Sequence, residues 1–318
     1  MLERLHPSVA LKVDDLIILD HDEVKKFLSE NQKLIKDITF TDHHFFHMNY
    51  GYNSLGNPIK IAYKDNLIQR IIIKTRDYPE KRLKLVIAYD GSNYHGWQIQ
   101  DDLSTIQGIL SQKISEVNNK PILIQGASRT DAQVHANQQV VHFDDESNLT
   151  EAEWLRYLNH QLPEDILVES VEKMHPLFHS RYDVYEKEYV YQIKLGDKSP
   201  FLINYSWNQE YLDFIKLDDQ LKKMVGTYDF TSFAKGTKGD NTRTIYQAGY
   251  KIHDDMLKIY ISGNGFLRYM VRLIIMHVIK YATNKTDIDI LDVIKEKSRK
   301  HTKEIAPAQG LYLNKINY

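Results

Sequence analysis

Within 318 residues, 41 Lys plus Arg stand against 43 Asp plus Glu, giving a net charge of −2, and 42% of the residues are hydrophobic. That balance describes an ordinary globular chain long enough for two domains. With no cysteine present, disulfides, thiolate metal centres and cysteine nucleophiles are excluded, and with no membrane-length apolar run or signal-peptide start a cytoplasmic location is expected.

Residues 1–80 read as a separate accessory segment of unknown role. Asp22 is placed to cap a helix reaching about Ile38, with Val24, Phe27, Leu28, Leu34 and Ile35 on one face. Residues 59–63 and 67–74 read as two strands around a turn at Asp65-Asn66. His43, His44 and His47 invite a metal reading. No acidic or histidine partner follows at ligand spacing, so packed or surface histidines are expected. Residues 78–82 read as a linker, and a chain starting near Lys81 is expected to fold and act without the leader.

From residue 83 the pattern becomes regular. Residues 83–89 form a strand, and Ile106, Ile109, Leu110, Ile114 and Val117 recur at helical spacing. Two strands follow at 121–126 and 139–143. Thr150 and Glu153 make a capping box for a helix through about Leu158, and residues 165–171 are another strand. The order is βαββαβ, the ferredoxin-like split unit. It recurs as a strand at 185–195, a helix at 217–225 and a hairpin at 244–253 and 256–262. Helices at 266–282 and 288–297 and a closing strand at 311–316 complete it. The expected fold is α+β: two ferredoxin-like units, 83–184 and 185–318, with antiparallel sheets joined around a central cleft, behind a small α+β N-terminal extension.

The polar loop between the strands at 121–126 and 139–143 carries Arg129 and Asp131. A carboxylate and a guanidinium on a loop anchored by strands are well placed to work in a cleft. A turn aspartate with a solvated arginine is the plain alternative. Arg129-Thr130-Asp131-Ala132, Val134-His135-Ala136 and Gln139-Val140-Val141-His142-Phe143 resemble the catalytic motif of the tRNA pseudouridine synthase A family. Further stretches resemble the same family in its own order. They are Tyr89-Asp90-Gly91-Ser92-Asn93-Tyr94-His95-Gly96-Trp97-Gln98, Leu158-Asn159 with Leu162-Pro163-Glu164-Asp165-Ile166, and Phe178-His179-Ser180-Arg181. In the second half they are Asp229-Phe230-Thr231-Ser232-Phe233, Asn264-Gly265-Phe266 with Met270-Val271-Arg272, and Gly310-Leu311-Tyr312-Leu313.

The resemblance implies an isomerase that turns uridine into pseudouridine in the anticodon arm of tRNA, acting as a homodimer without cofactor or metal. It implies Asp131 as nucleophile and Arg272 as the cation that holds its pKa down. Tyr189 would cover the target uracil and handle the proton at its reacting carbon, and Arg129 would help extrude the nucleotide. His142 is expected to be structural. A non-catalytic RNA-binding relative, or an RRM-like module, remains the alternative from another class. Two family glycines are replaced, by Ser128 and Gln133. If the second glycine serves a positive φ, glutamine would be strained there, so Gln133 is expected at negative φ with its side chain in or across the cleft.

Overall fold

The computed structural model describes residues 1–45, 47–236 and 239–318. The leader runs β1 (Leu5–Val13), β2 (Leu16–Ile18), α1 (His21–Glu30), β3 (Thr39–Phe45), β4 (Met48–Tyr52), β5 (Pro58–Lys64) and β6 (Leu67–Ile73). Its strands form one six-stranded sheet, β2-β1-β6-β5-β4-β3, antiparallel except where β1 lies parallel to β6. Val24 and Leu28 of α1 pack with Val9, Leu11, Ile59, Ile61 and Ile71 in a core of their own. The hairpin at Asp65-Asn66 is present, with both residues at positive φ (50° and 62°) as a tight two-residue turn requires. The helix differs from expectation. Asp20, not Asp22, accepts the N–H groups of Asp22 and Glu23, because Asp22 already lies in the first turn. The helix stops at Glu30, where the Asn31 side chain bonds Phe27 O. The side chains of His43 and His44 lie outside the described residues. His47 packs its ring 5.7 Å from that of Tyr185. Among the described residues no group of His, Asp and Glu could hold a metal, and no helix is long and apolar enough to cross a membrane.

The remainder begins with β7 (Arg82–Tyr89), α2 (Ile106–Asn118), β8 (Gln125–Gly126), β9 (His135–Asp144), α3 (Glu151–Gln161) and β10 (Ile166–Met174). It continues with β11 (Glu186–Leu195), β12 (Trp207–Gln209), α4 (Phe214–Lys223), β13 (Gly226–Asp229) and β14 (Thr242–His253). Last come β15 (Met256–Gly263), α5 (Met270–Ala282), α6 (Ile290–Glu296) and β16 (Leu311–Asn317). The Thr150–Glu153 capping box opens α3 as expected.

Both halves have the ferredoxin-like strand order, and they share one sheet: β10-β7-β9-β16-β11-β15-β14-β13. The seam is parallel pairing of Tyr312 and Leu313 in β16 with His135 and Ala136 in β9. The seam exists because β8 is short. It pairs only Gln125 and Gly126 with the far end of β9, leaving the near end open for β16. Residues 121–124, expected in that strand, are instead tied to α2. The Ile122 N–H donates to Ser115 Oγ at 2.8 Å, and the Gln107 amide donates to Ile124 O at 2.9 Å. Side-chain partners satisfy the backbone there, so no ladder is needed.

The leader is seated on the loop between β10 and β11. Met48 and Tyr50 belong to the large core that spans both halves. Lys60 Nζ lies 2.8 Å from Asp183 Oδ1 and donates to Leu177 O, and Tyr50 donates to Asp183 Oδ2 at 2.5 Å. His175 Nε2 is 2.9 Å from Gly51 O.

Candidate active site

The loop between β8 and β9 is fixed from three sides before any side chain reaches the cleft. From β9, fully buried Gln139 clamps Ser128, accepting its N–H and donating to its carbonyl at 2.7 Å. From β7, the Tyr89 hydroxyl meets Thr130 Oγ1 at 2.8 Å. The loop after β7 closes in next: Trp97 N–H donates to Thr130 O and Gln133 N–H to Tyr94 O. That approach is backbone to backbone. A Cβ on Gly96 (φ 89°) would fall 2.6 Å from Thr130 O, and one on Gly91 would fall against Val134 O. This explains why glycines recur in the stretch after the first strand of the repeat.

Held in this way, Asp131 faces Arg272 across the cleft. Arg272 Nη1 donates to Asp131 Oδ2 at 2.9 Å, and its Nε donates to Ala306 O at 2.8 Å. Arg272 is the third residue of α5, so one half of the molecule supplies the carboxylate and the other the guanidinium. The Asp131 side chain is 27% exposed and that of Arg272 14%. Burial pushes the Asp131 carboxyl above its ordinary value by more than Arg272 and Arg268 pull it down. This corrects the expectation that the arginine sets the balance: desolvation of a recessed carboxylate outweighs one ion pair here.

Tyr189, on β11, is buried, with its hydroxyl 2.8 Å from Ser128 Oγ and its ring edge-on to Phe266 at 5.2 Å. Burial pushes its phenol up to about 12, so it is neutral at pH 7. Ser128 thus touches Tyr189 directly. Arg129 is exposed and lines the same cleft. His142 is buried with Nδ1 2.9 Å from Ser180 Oγ, and burial with nearby Arg82 drops it to about 2. It is a neutral structural residue.

Gln133 overturns its expectation. It sits at φ 64°, is exposed, and is not among the residues lining the cleft. The Tyr94 carbonyl and the close approach of the Gly96 loop fix the backbone path, and the side chain accepts the strain.

The cleft measures about 930 Å³. Arg129, Arg181, Lys187, Arg243, Arg268 and Arg272 line it, and Asp131 is the one carboxylate among the described lining residues. A chain of net charge −2 thus has a locally basic cleft. The sequence reading missed Gln139 and Lys187. Gln139 sits inside a motif read for its hydrophobic alternation, and only its burial shows its clamping role. Lys187 shares the Tyr189 face by strand alternation, which was a usable signal.

A family model described as tRNA pseudouridine synthase matches residues 85–183 and 221–318. The leader sheet lies outside that match. The tRNA pseudouridine synthase A of Geobacillus sp. (strain WCH70) is 40% identical over 244 residues, covering 75% of this chain and 98% of that protein. That of Anoxybacillus flavithermus is 36% identical over 243 residues, covering 75% and 99%. The tRNA pseudouridine synthase A 1 of Bacillus cereus (strain ATCC 14579) is 37% identical over 243 residues, covering 74% and 98%.

Proposed function

From the premise that this chain belongs to the tRNA pseudouridine synthase family, isomerases that convert uridine in tRNA to pseudouridine, we propose that Asp131 is its nucleophile, paired to Arg272. The observation that carries this reading is the 2.9 Å Asp131–Arg272 pair, which among the described residues is the one ion pair made by a cleft cation. A carboxylate whose conjugate acid is weakened by desolvation is also a better nucleophile. It adds to an electrophilic carbon of the target nucleotide as the N1–C1′ bond breaks, and leaves as the C5–C1′ bond forms. The base turns between these two events, and the proton lost last from C5 is balanced by one taken up at N1. Arg272 keeps Asp131 oriented and stabilises the negative charge that returns to its carboxylate.

Tyr189 offers a flat buried ring for the uracil and a phenol oxygen near its C5. Arg129, exposed at the mouth, fills the space left when the nucleotide turns out of its stack. A binding protein without chemistry would have no evident use for a recessed, partly desolvated Asp131. The target uridine is assigned to the anticodon arm. The assembly is assigned as a homodimer, supported by the exposed apolar side chains of Phe201, Ile203, Tyr211 and Ile215.

Incubation with unmodified tRNA and a direct assay for pseudouridine tests the reading. Product in an anticodon-arm position with the wild type, and none with Asp131→Asn, is the expected result. Normal product with that variant overturns the role of Asp131. Sedimentation at equilibrium checks the dimer.

A further inference from the structure

Of the six cleft cations, Arg272 alone has a carboxylate within 4.0 Å among the described residues. Three of the other five converge beside Tyr189. Lys187 precedes Tyr189 by two residues on β11, so both side chains share the cleft face, about 6.6 Å apart along the strand. Lys187 Nζ donates to Ala127 O at 2.6 Å, leaving two of its three protons uncommitted. Arg181, from the segment before β11, and Arg243, on β14, are the charges that act on it. Arg243 spends Nη1 on Thr242 O and Asp240 O, and the rest of its fork is free of partners among the described residues. Glu186 and Glu188, the chain neighbours of Lys187, alternate to the other face, where they accept from Asn317 and Asn314.

A recessed ammonium facing two guanidinium groups, with no carboxylate paired to it among the described residues, is unfavourable by itself. Burial and those two charges drop Lys187 to about 8. The arrangement becomes favourable when a multiply contacted anion enters, and a phosphodiester oxygen accepts from both lysine and arginine. We infer that Lys187, Arg181 and Arg243 hold the backbone phosphate of the RNA strand adjacent to the target nucleotide, with Lys187 as the inner contact. That the anion belongs to RNA rests on the pseudouridine synthase reading. The short separation from Tyr189 places the phosphate next to the base that Tyr189 covers. The site therefore fixes where the strand enters relative to the chemistry.

The test uses full-length protein in an Asp131→Asn background, which stops turnover and removes the one carboxylate among the described cleft-lining residues. Affinity for unmodified tRNA is measured against salt concentration at pH 7 and pH 8.5. With Lys187→Met, affinity falls about tenfold near 0.1 M salt, and the slope of log affinity on log salt becomes shallower by about one. With Lys187 intact, affinity weakens about fourfold at pH 8.5, because a group near pH 8 loses its proton. Lys187→Arg keeps the slope and loses that pH dependence, since arginine stays charged.

Unchanged affinity and slope in Lys187→Met overturn the inference. So does an equal pH dependence in Lys187→Arg, which decides the matter even if the methionine variant fails to fold. If the wild type forms pseudouridine while these arms fail, the phosphate site is wrong and the function stands. If the wild type forms none, the function fails, whatever the salt slopes show.

Discussion

Gln133 carries a left-handed backbone, φ 64°, that L side chains adopt at a cost of about 1–2 kcal/mol. Its side chain is exposed and contributes nothing to the cleft lining. Gln133→Gly is therefore expected to raise stability by about 1 kcal/mol, read as a higher denaturant midpoint. Its kinetics should match the parent. A slower Gln133→Gly enzyme would give that side chain a role it lacks here.

As the proposed nucleophile, Asp131 is expected to govern the pH profile. Its pKa is raised in the folded protein, so the folded state binds the proton more tightly than the unfolded chain. Ionising it thus removes stability as pH rises through the folded pKa, while the proposed nucleophilic role needs the ionised form. The acid limb of kcat/KM should lie above the ordinary carboxylate value. Arg272 lowers that pKa, so Arg272→Met should move the carboxyl resonance of Asp131 to titrate at still higher pH. A titration at equal or lower pH in that variant would break the pairing argument. Asp131→Asn should cost roughly a thousandfold or more in turnover while leaving tRNA affinity near parental.

Among the elements, those with long alternation were readable from residues alone: β7, β11 and the β14–β15 hairpin lie where apolar periodicity put them. β1 was not, because His6-Pro7-Ser8 interrupts its pattern, and the structure accommodates them with a register shift between Leu5 and Ala10. Of the candidate site, the pairing of Asp131 with Arg272 was legible through the resemblance. The docking of the leader was not, since nothing in the spacing of Lys60 and Asp183 marks them as partners 123 positions apart.

That pair is nearly dry, with side chains 9% and 2% exposed. Removing one partner strands a buried charge. Lys60→Met should lower stability by about 3–5 kcal/mol, and adding Asp183→Asn should restore part of it. Additive losses on a double-mutant cycle would show that the two do not act as a unit.

For the whole molecule, the leader is joined to the catalytic body by more than a linker. A chain starting at Lys81 loses Tyr50 and Lys60, leaving Asp183 with the His179 N–H and His175 without the Gly51 carbonyl. It is expected to melt well below the full chain. Its segment 175–183, which carries Arg181 into the cleft, should loosen, raising KM for tRNA. Equal melting temperatures for the two chains would restore the simpler picture of an independent accessory.

The seam between β9 and β16 bears on how the chain reaches this state at all. β16 is synthesised after every other strand, yet it lies in the middle of the ten-stranded sheet. Until it arrives, β9 beyond its short pairing with β8, and β11 beyond its short pairing with β12, present open edges, the kind of surface on which nascent chains stick to one another. Closing the sheet joins residues 177 positions apart, which makes a slow step governed by topology. The leader pairs β1 only with β2 and β6 and has its own core, so it can form early on the ribosome. It then offers Tyr50 and Lys60 as a ready surface for the loop at 175–183. Refolding should accordingly show a fast phase in the leader and a late one in the catalytic body. Removal of residues 311–318 should leave a protein that aggregates rather than one that merely works less well.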